Sequence, residues 1–191
     1  MSILVDHEIR DLCRDAELIS PYYERNINPN SYDITLADDF VWYRKPGLGE
    51  PMFIDPFDRK TVELCVVEEK ALAIKIGQNE FALGRTVETI NLPSNIAAVL
   101  MGKSSLARLG ITIHQTGGFI DSGFKGTLTL EIGNINPRHI VLHAGMTIGQ
   151  LVFHKLPNAP DVTYGEKKTS KYQGQIAPTL SRYHMNECIR R

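Results

Sequence analysis

The chain has 191 residues, 42% of them apolar and 23% charged, with a formal net charge of −1, the composition of one globular domain with a core of its own. This balance excludes a global basic field for nucleic acid or a membrane surface, so any anion site has to be built locally. No apolar run approaches the roughly 18 residues that a membrane-spanning helix needs.

The first ten residues carry Asp6 and Glu8 and lack the basic and apolar regions of a secretion signal. Cys13, Cys65 and Cys188 are far apart and form neither a disulfide framework nor a metal knuckle. Free thiols and a cytoplasmic location are expected. Asp6 is placed to cap a helix running to about Glu17, with Ile9, Leu12, Cys13 and Ala16 on one stripe. Beyond it, short alternating runs separated by Gly, Pro and Asn predict strands at Tyr32 to Leu36, Glu80 to Leu83, Val87 to Leu92, Ala97 to Met101, Ile111 to Gln115, Gly126 to Ile132, His139 to Leu142 and Thr147 to His154. Many short strands at close spacing predict a mainly β sandwich or barrel. Residues 43–58 read as a long irregular excursion. Pro, Gly, Ser, Thr and Lys dominate from Pro157 onward. The expected organisation is therefore a β body over residues 1–162 and a loose tail over residues 163–191.

Three segments carry chemistry. In Gly102-Lys103-Ser104-Ser105-Leu106-Ala107-Arg108, two hydroxyls stand between two cations behind a glycine. That is the composition of an anion cradle, with Lys103 as a point charge and Arg108 as a planar fork. A serine turn entering a short helix is the plainer reading of the same residues. The second segment, Gly117 to Phe124, places Asp121 in a glycine-framed turn and runs on to Thr127-Leu128-Thr129-Leu130-Glu131-Ile132. Strand alternation sends Leu128, Leu130 and Ile132 to the core, and Thr127, Thr129 and Glu131 to the other face. A glutamate on a polar face is ordinarily solvated; beside the other motifs it becomes a candidate proton carrier. The third segment, between Tyr164 and Arg182, sets four basic residues against one acid, with Tyr164, Tyr172, Gln173 and Gln175 interleaved. Such a mixture suits a lid that orders over phosphates. The six histidines form no metal-ligand spacing, and no H-x-E paired with P-C-x-x-C occurs, so the zinc route to base deamination is absent from the sequence.

In this order the motifs resemble those of the dCTP deaminase family, within the trimeric dUTPase-like superfamily, over roughly Ile27 to Arg182. Lys103 to Gly110 is similar to the family's G-R-S-S-L-x-R-L-G element, and Gly118 to Gly126 to its G-x-I-D-x-G-[FW]-x-G turn. Thr129 to Glu131 resembles the T-L-E that carries the catalytic glutamate. Gly145 to Leu151 resembles the element whose glutamine, here Gln150, lies at the nucleotide. Ser170 to Gln175 resembles the phosphate-covering tail, and Asn30 to Asp33 the early strand motif. The resemblance implies a distorted jelly roll assembled as a homotrimer with shared sites. It also implies hydrolytic deamination of dCTP, with magnesium held by the triphosphate and no zinc, and dUTP and dTTP as further nucleotides.

Glu131, Arg108 and Ser104 are the catalytic residues this implies: Glu131 moving the proton and Arg108 fixing the glutamate and water. Lys103, Ser104, Ser105, Tyr164, Lys171 and Gln175 would hold phosphates, Asp121 the sugar 3′-hydroxyl, and Phe124 would pack on the sugar. Leu106, Ala107, Thr129, Leu130 and Gln150 complete the expected substrate-binding set. Two departures stand out: Lys103 replaces the family's arginine, and Gly117 its usual alanine. Gly118 stands where one-step deaminases carry histidine, as in the members that continue to dUMP and diphosphate, and is expected to leave open space there. The alternatives are a deaminase releasing dUTP, a dUTPase, and a non-catalytic nucleotide-binding jelly roll. The joint presence of Glu131, Asp121 and Arg108 disfavours the last, since a binder needs no proton carrier.

Overall fold

The computed structural model describes residues 2–48 and 52–187, so Cys188 lies outside the described residues. Its strands are β1 (Ser2–Ile3), β2 (Ile19–Ser20), β3 (Ile27–Asn28), β4 (Ser31–Thr35), β5 (Asp39–Tyr43), β6 (Val66–Lys70), β7 (Ala73–Ile76) and β8 (Phe81–Asn91). They continue as β9 (Ile96–Gly102), β10 (Ile111–Thr112), β11 (Phe119–Ile120), β12 (Lys125–Asn134), β13 (Ile140–His143) and β14 (Thr147–Lys155). The helices are α1 (Asp6–Asp15), α2 (Arg59–Glu63) and α3 (Ser104–Ala107).

One sheet runs β11-β9-β14-β4-β3, with β1 also on β14; the other runs β10-β12-β8-β5-β6, with β2 also on β8; β13 and β7 form a separate ribbon. The mainly β expectation holds. The core lies where the inward faces meet: Tyr32, Ile34, Phe40, Ile90, Leu130, Ile132, Leu151 and Phe153 are almost completely buried, and this apolar burial is the main source of stability.

Several local features differ from the sequence expectation, each for a physical reason. Asp6 is the first helical residue of α1; the capping role falls to Glu8, whose carboxylate accepts the Val5 N–H at 3.0 Å. The two strands expected around Gly84 are one, β8. A Cβ at Gly84 would lie 3.0 Å from Ile132 Cδ1 and 3.2 Å from Leu36 Cδ1, so this glycine permits close packing and does not break the strand. The excursion after Tyr43 is followed by α2, opened by the Asp58 side chain accepting the Lys60 N–H at 3.0 Å. Strands β1, β2, β3, β5, β6, β7 and β11 are not among the expected runs. The tail is packed against the body from Tyr164 onward, as described below. Cys13 is buried, and burial pushes its thiol up to about 11; both described cysteines, Cys13 and Cys65, are free.

Glu88 on β8 is wholly buried. One carboxyl oxygen accepts the Thr35 N–H at 2.9 Å, tying β4 to β8 across the two sheets; the other has no hydrogen-bond partner. Burial raises its pKa against the lowering effect of the Thr35 hydrogen bonds. An acid weakened by folding contributes stability that is complete below the ordinary glutamate range and is lost as pH rises through the raised value. Glu88→Gln is therefore expected to gain on the wild type between pH 4 and pH 8, by up to about 1.4 kcal/mol for each tenfold weakening of the acid. Denaturant unfolding of both proteins at the two pH values checks this. A difference that does not change with pH contradicts it.

Candidate active site

Strand β12 supplies the centre of the site, and a bulge sets which of its residues face the cavity. Its pairing with β8 shifts register between Thr127 and Thr129, because the Leu128 N–H turns to the Thr86 hydroxyl, at 2.9 Å, and leaves the ladder. Simple alternation fails there: Leu128 and Thr129, adjacent in sequence, both line one cavity of about 580 Å³, together with Glu131, a volume within the range of small-molecule sites. Leu130, expected to touch substrate, is fully buried in the core, so only its backbone is available.

Glu131 is held in place. One carboxylate oxygen accepts the Gln115 N–H at 2.7 Å, and the Glu131 N–H itself goes to the Ile113 carbonyl at 2.9 Å. The other oxygen lies toward Gly117, 3.8 Å from where a Cβ would stand. The carboxylate is thus fixed in orientation with one oxygen left to act. Asp121 also lines the cavity, at an exposed turn. Phe124 forms part of the wall, tilted against Tyr164 with ring centroids 5.7 Å apart.

The tail closes the cavity by pairing with the free edge of β12. The Gly174 N–H donates to the Lys125 carbonyl at 2.7 Å and the Thr127 N–H to the Gln175 carbonyl at 2.9 Å. The Gln175 side chain donates to the Thr127 carbonyl at 2.7 Å, and the Thr179 N–H donates to the Thr129 hydroxyl at 3.1 Å. Tyr164, Tyr172, Gln175, Thr179 and Ser181 therefore line the cavity beside Glu131. Tyr172 is positioned by its N–H donating to the Tyr164 hydroxyl at 3.1 Å.

The segment expected to cradle phosphates lies elsewhere. Lys103 is the N-cap residue of α3; Ser104, Ser105, Ala107 and Arg108 are exposed and Leu106 leans on the core, and none of the six lines the cavity. Lys103 bonds Asp33 at 2.6 Å, and Asp33 is itself held by Asn28 at 2.8 Å. Gln150, also outside the cavity, accepts the Ser31 hydroxyl at 2.8 Å. The early motif from Asn30 to Asp33 thus contacts Lys103 and Gln150 through Asp33 and Ser31. Gly118 is not at an open place: it is buried, and a Cβ would meet the Leu100 carbonyl at 3.0 Å and the His114 ring at 3.3 Å. Among the described residues no group of three or more His, Cys, Asp or Glu side chains is placed to hold a metal ion.

Sequence reasoning missed Tyr43. It lines the cavity from the end of β5, tilted on Phe81 at 5.5 Å between centroids. Its phenol is raised above the usual tyrosine range by burial first, then by Cys65, Tyr172 and Glu131, so it remains a hydrogen-bond donor close enough to Glu131 to feel its charge. The unbroken run Asp39-Phe40-Val41-Trp42-Tyr43 was the available strand signal. Phe119, 62% exposed at the cavity mouth, was likewise not singled out.

Two antiparallel sheets with an aromatic-walled cavity beside an anchored carboxylate define a mainly β protein with a candidate small-molecule site. The chain belongs to the dCTP deaminase-like family, whose model matches residues 3–156. It is 47% identical over 97% of its length to a dUMP-forming dCTP deaminase of Methanosphaerula palustris, covering 97% of that protein. It is 48% identical to the protein of the same name from Methanospirillum hungatei, over 97% of this chain and 98% of that one. A more distant namesake, from Dictyoglomus thermophilum, is 37% identical over 97% of both. Among solved structures, the 2′-deoxycytidine 5′-triphosphate deaminase of Agrobacterium tumefaciens shares the fold over 80% of this chain, with a TM-score of 0.63 and 22% identity; the chain spans about half, 48%, of that protein.

Gly126 is the contact point between strand and tail. Its φ is +150°, and a Cβ would lie 2.9 Å from the Gln175 carbonyl oxygen. Gly126→Ala is expected to leave the body folded and release the tail, seen as hydrogen exchange at the Gly174 amide at least about tenfold faster. Unchanged exchange contradicts the pairing.

Proposed function

We propose that the chain hydrolyses dCTP to dUMP: one water displaces the 4-amino group as ammonia, and a second cleaves the α–β phosphate bond to release diphosphate. What carries the deamination step is the anchoring of Glu131, with one oxygen held by the Gln115 N–H and the other directed toward Gly117 in the cavity. That oxygen takes a proton from water as the water oxygen bonds C4. It returns the proton to the ring nitrogen, then carries the proton of the new C4 hydroxyl to the departing amine as the C4 carbonyl forms and ammonia leaves, the work of a general acid–base group. The dUMP-forming branch is supported by relatives that carry that name at 46–48% identity over 96–97% of this chain, and not by open space at Gly118. In that branch Asp121 orients the second water near the α-phosphate.

The aromatic wall of Phe124, Tyr164 and Tyr172 receives the nucleoside, and the residues 163–191 act as its lid. The phosphates need the cations and hydroxyls of Lys103, Ser104, Ser105 and Arg108, which lie outside this chain's cavity. In our reading, a neighbouring copy in a homotrimer brings them, together with Gln150, to the site. Magnesium travels with the triphosphate as part of the substrate. dUTP is the intermediate, and dTTP would fit the same site. A cytoplasmic location is part of the proposal.

The test is a time course with dCTP and magnesium that resolves dUTP, dUMP and diphosphate, on protein whose mass is measured by light scattering. Wild type of three-chain mass is expected to give dUMP and diphosphate in equal amounts with little free dUTP. Glu131→Gln is expected to lose about 10²–10⁴-fold in turnover while still binding nucleotide. Stoichiometric dUTP release with added dUTP untouched overturns the second step. Retention of more than about a tenth of turnover by Glu131→Gln overturns its role as proton carrier. A one-chain mass with full activity overturns the shared site.

A further inference from the structure

The residues after the tail motif build a cage around Lys171. Its ammonium donates to the Asn186 side-chain carbonyl at 2.5 Å and stands 5.6 Å from the centroid of the Tyr183 ring. Tyr183 is itself fixed by the edge-on ring of Phe57, 5.2 Å between centroids. Arg182 closes the backbone side: its guanidinium donates to the Lys171 carbonyl, its N–H donates to the Tyr172 hydroxyl at 3.1 Å, and its charge lies 6.0 Å over the Tyr172 ring. A single 3-10 turn, Tyr183–Met185, closed by the Asn186 N–H on the Tyr183 carbonyl at 2.9 Å, brings these groups together.

The chemistry of the cage is selective. Both groups that hold the ammonium are neutral, a carbonyl oxygen and an aromatic face, and among the described residues no carboxylate lies within ion-pairing distance of Lys171. The cation is held in place with no carboxylate among the described residues paired to it. Asn186 takes one of the three N–H donors of the ammonium, and the ring face attracts the charge without accepting a conventional hydrogen bond. Tyr172, the next residue, lines the cavity, so the cation is kept one residue from the cavity wall. Lys103, by contrast, is paired with Asp33 at 2.6 Å.

We propose that Asn186 and Tyr183 are positioning residues that preorganise Lys171, uncompensated, for the phosphates of the nucleotide. This rests on the reading of Lys171 as a phosphate-holding residue. A flexible lysine loses much side-chain freedom on gripping an anion, and the cage meets that loss in advance.

Steady-state kinetics with dCTP on full-length variants tests this. Asn186→Ala and Tyr183→Leu are each expected to raise KM about three- to thirtyfold with kcat within about twofold of wild type. Asn186→Asp keeps the shape but pairs the charge, and is expected to raise KM further than Asn186→Ala. Tyr183→Phe keeps the ring face and is expected to match wild type, a rescue that a loss of folding could not show. Lys171→Ala separates the two levels. If it leaves KM unchanged, Lys171 does not hold phosphate and the cage has no such role. If it raises KM while Asn186→Ala and Tyr183→Leu do not, the cage alone is overturned. An Asn186→Asp variant no worse than Asn186→Ala overturns the argument from charge.

Discussion

The open edge of β12 is the constraint on which the site depends. A strand's backbone donors and acceptors need partners on both sides, and β8 fills one side of β12 along most of its length. The other side is divided. β10 pairs only with Gly133 and Asn134, the Ile113 carbonyl takes the N–H of Glu131, and the tail takes Lys125 and Thr127. An unpaired edge is a liability that proteins cover; here the covering segments are also the walls of the cavity. The loop that caps the edge at Glu131 carries the Gln115 N–H that fixes its carboxylate. The segment that caps it at Thr127 carries Tyr172 and Gln175 into the same space. Backbone satisfaction, closure and aim of the carboxylate therefore come from one set of hydrogen bonds.

The bulge at Leu128 makes this possible. By giving its N–H to the Thr86 hydroxyl, the strand turns enough to present Leu128 as apolar floor and Thr129 as polar wall side by side. Gly126, next to it, allows the tail backbone to approach more closely than a side chain permits. Away from the cavity the logic is electrostatic. Lys103 and Asp33 form a partly buried pair at 2.6 Å, and Gln150 is bonded to Ser31, so these polar groups are satisfied within the chain. The segment Lys103 to Arg108 thus stands outside the cavity of its own chain.

Much of this was legible in the sequence where the cause is local. Alternation placed Thr129 and Glu131 on one face, the glycine-framed turn placed Asp121 at an exposed bend, and short apolar runs gave half of the described strands, the four longest among them. What could not be read depends on partners distant in the chain. The bulge needs Thr86, 42 residues from Leu128. The continuity of β8 through Gly84 depends on Leu36 and Ile132 packing over it. Tyr43 becomes part of the wall only because β5 lies beside β8. Gly118 read as open space because a glycine in sequence does not reveal that the Leu100 carbonyl and His114 ring occupy the room beside it. The tail's composition resembled that of a solvated segment, and its edge pairing is invisible until β12 is shown to lack a neighbour.

The most direct measurement is made on a chain stopped after Val162, which removes every described tail group that pairs with β12 and leaves all fourteen described strands intact. The expected result is a folded β protein, by circular dichroism and a cooperative melt, that has lost nearly all dCTP turnover because water enters an unclosed cavity. Near-normal turnover by that truncated chain would contradict the claim that edge pairing by the tail completes the active site.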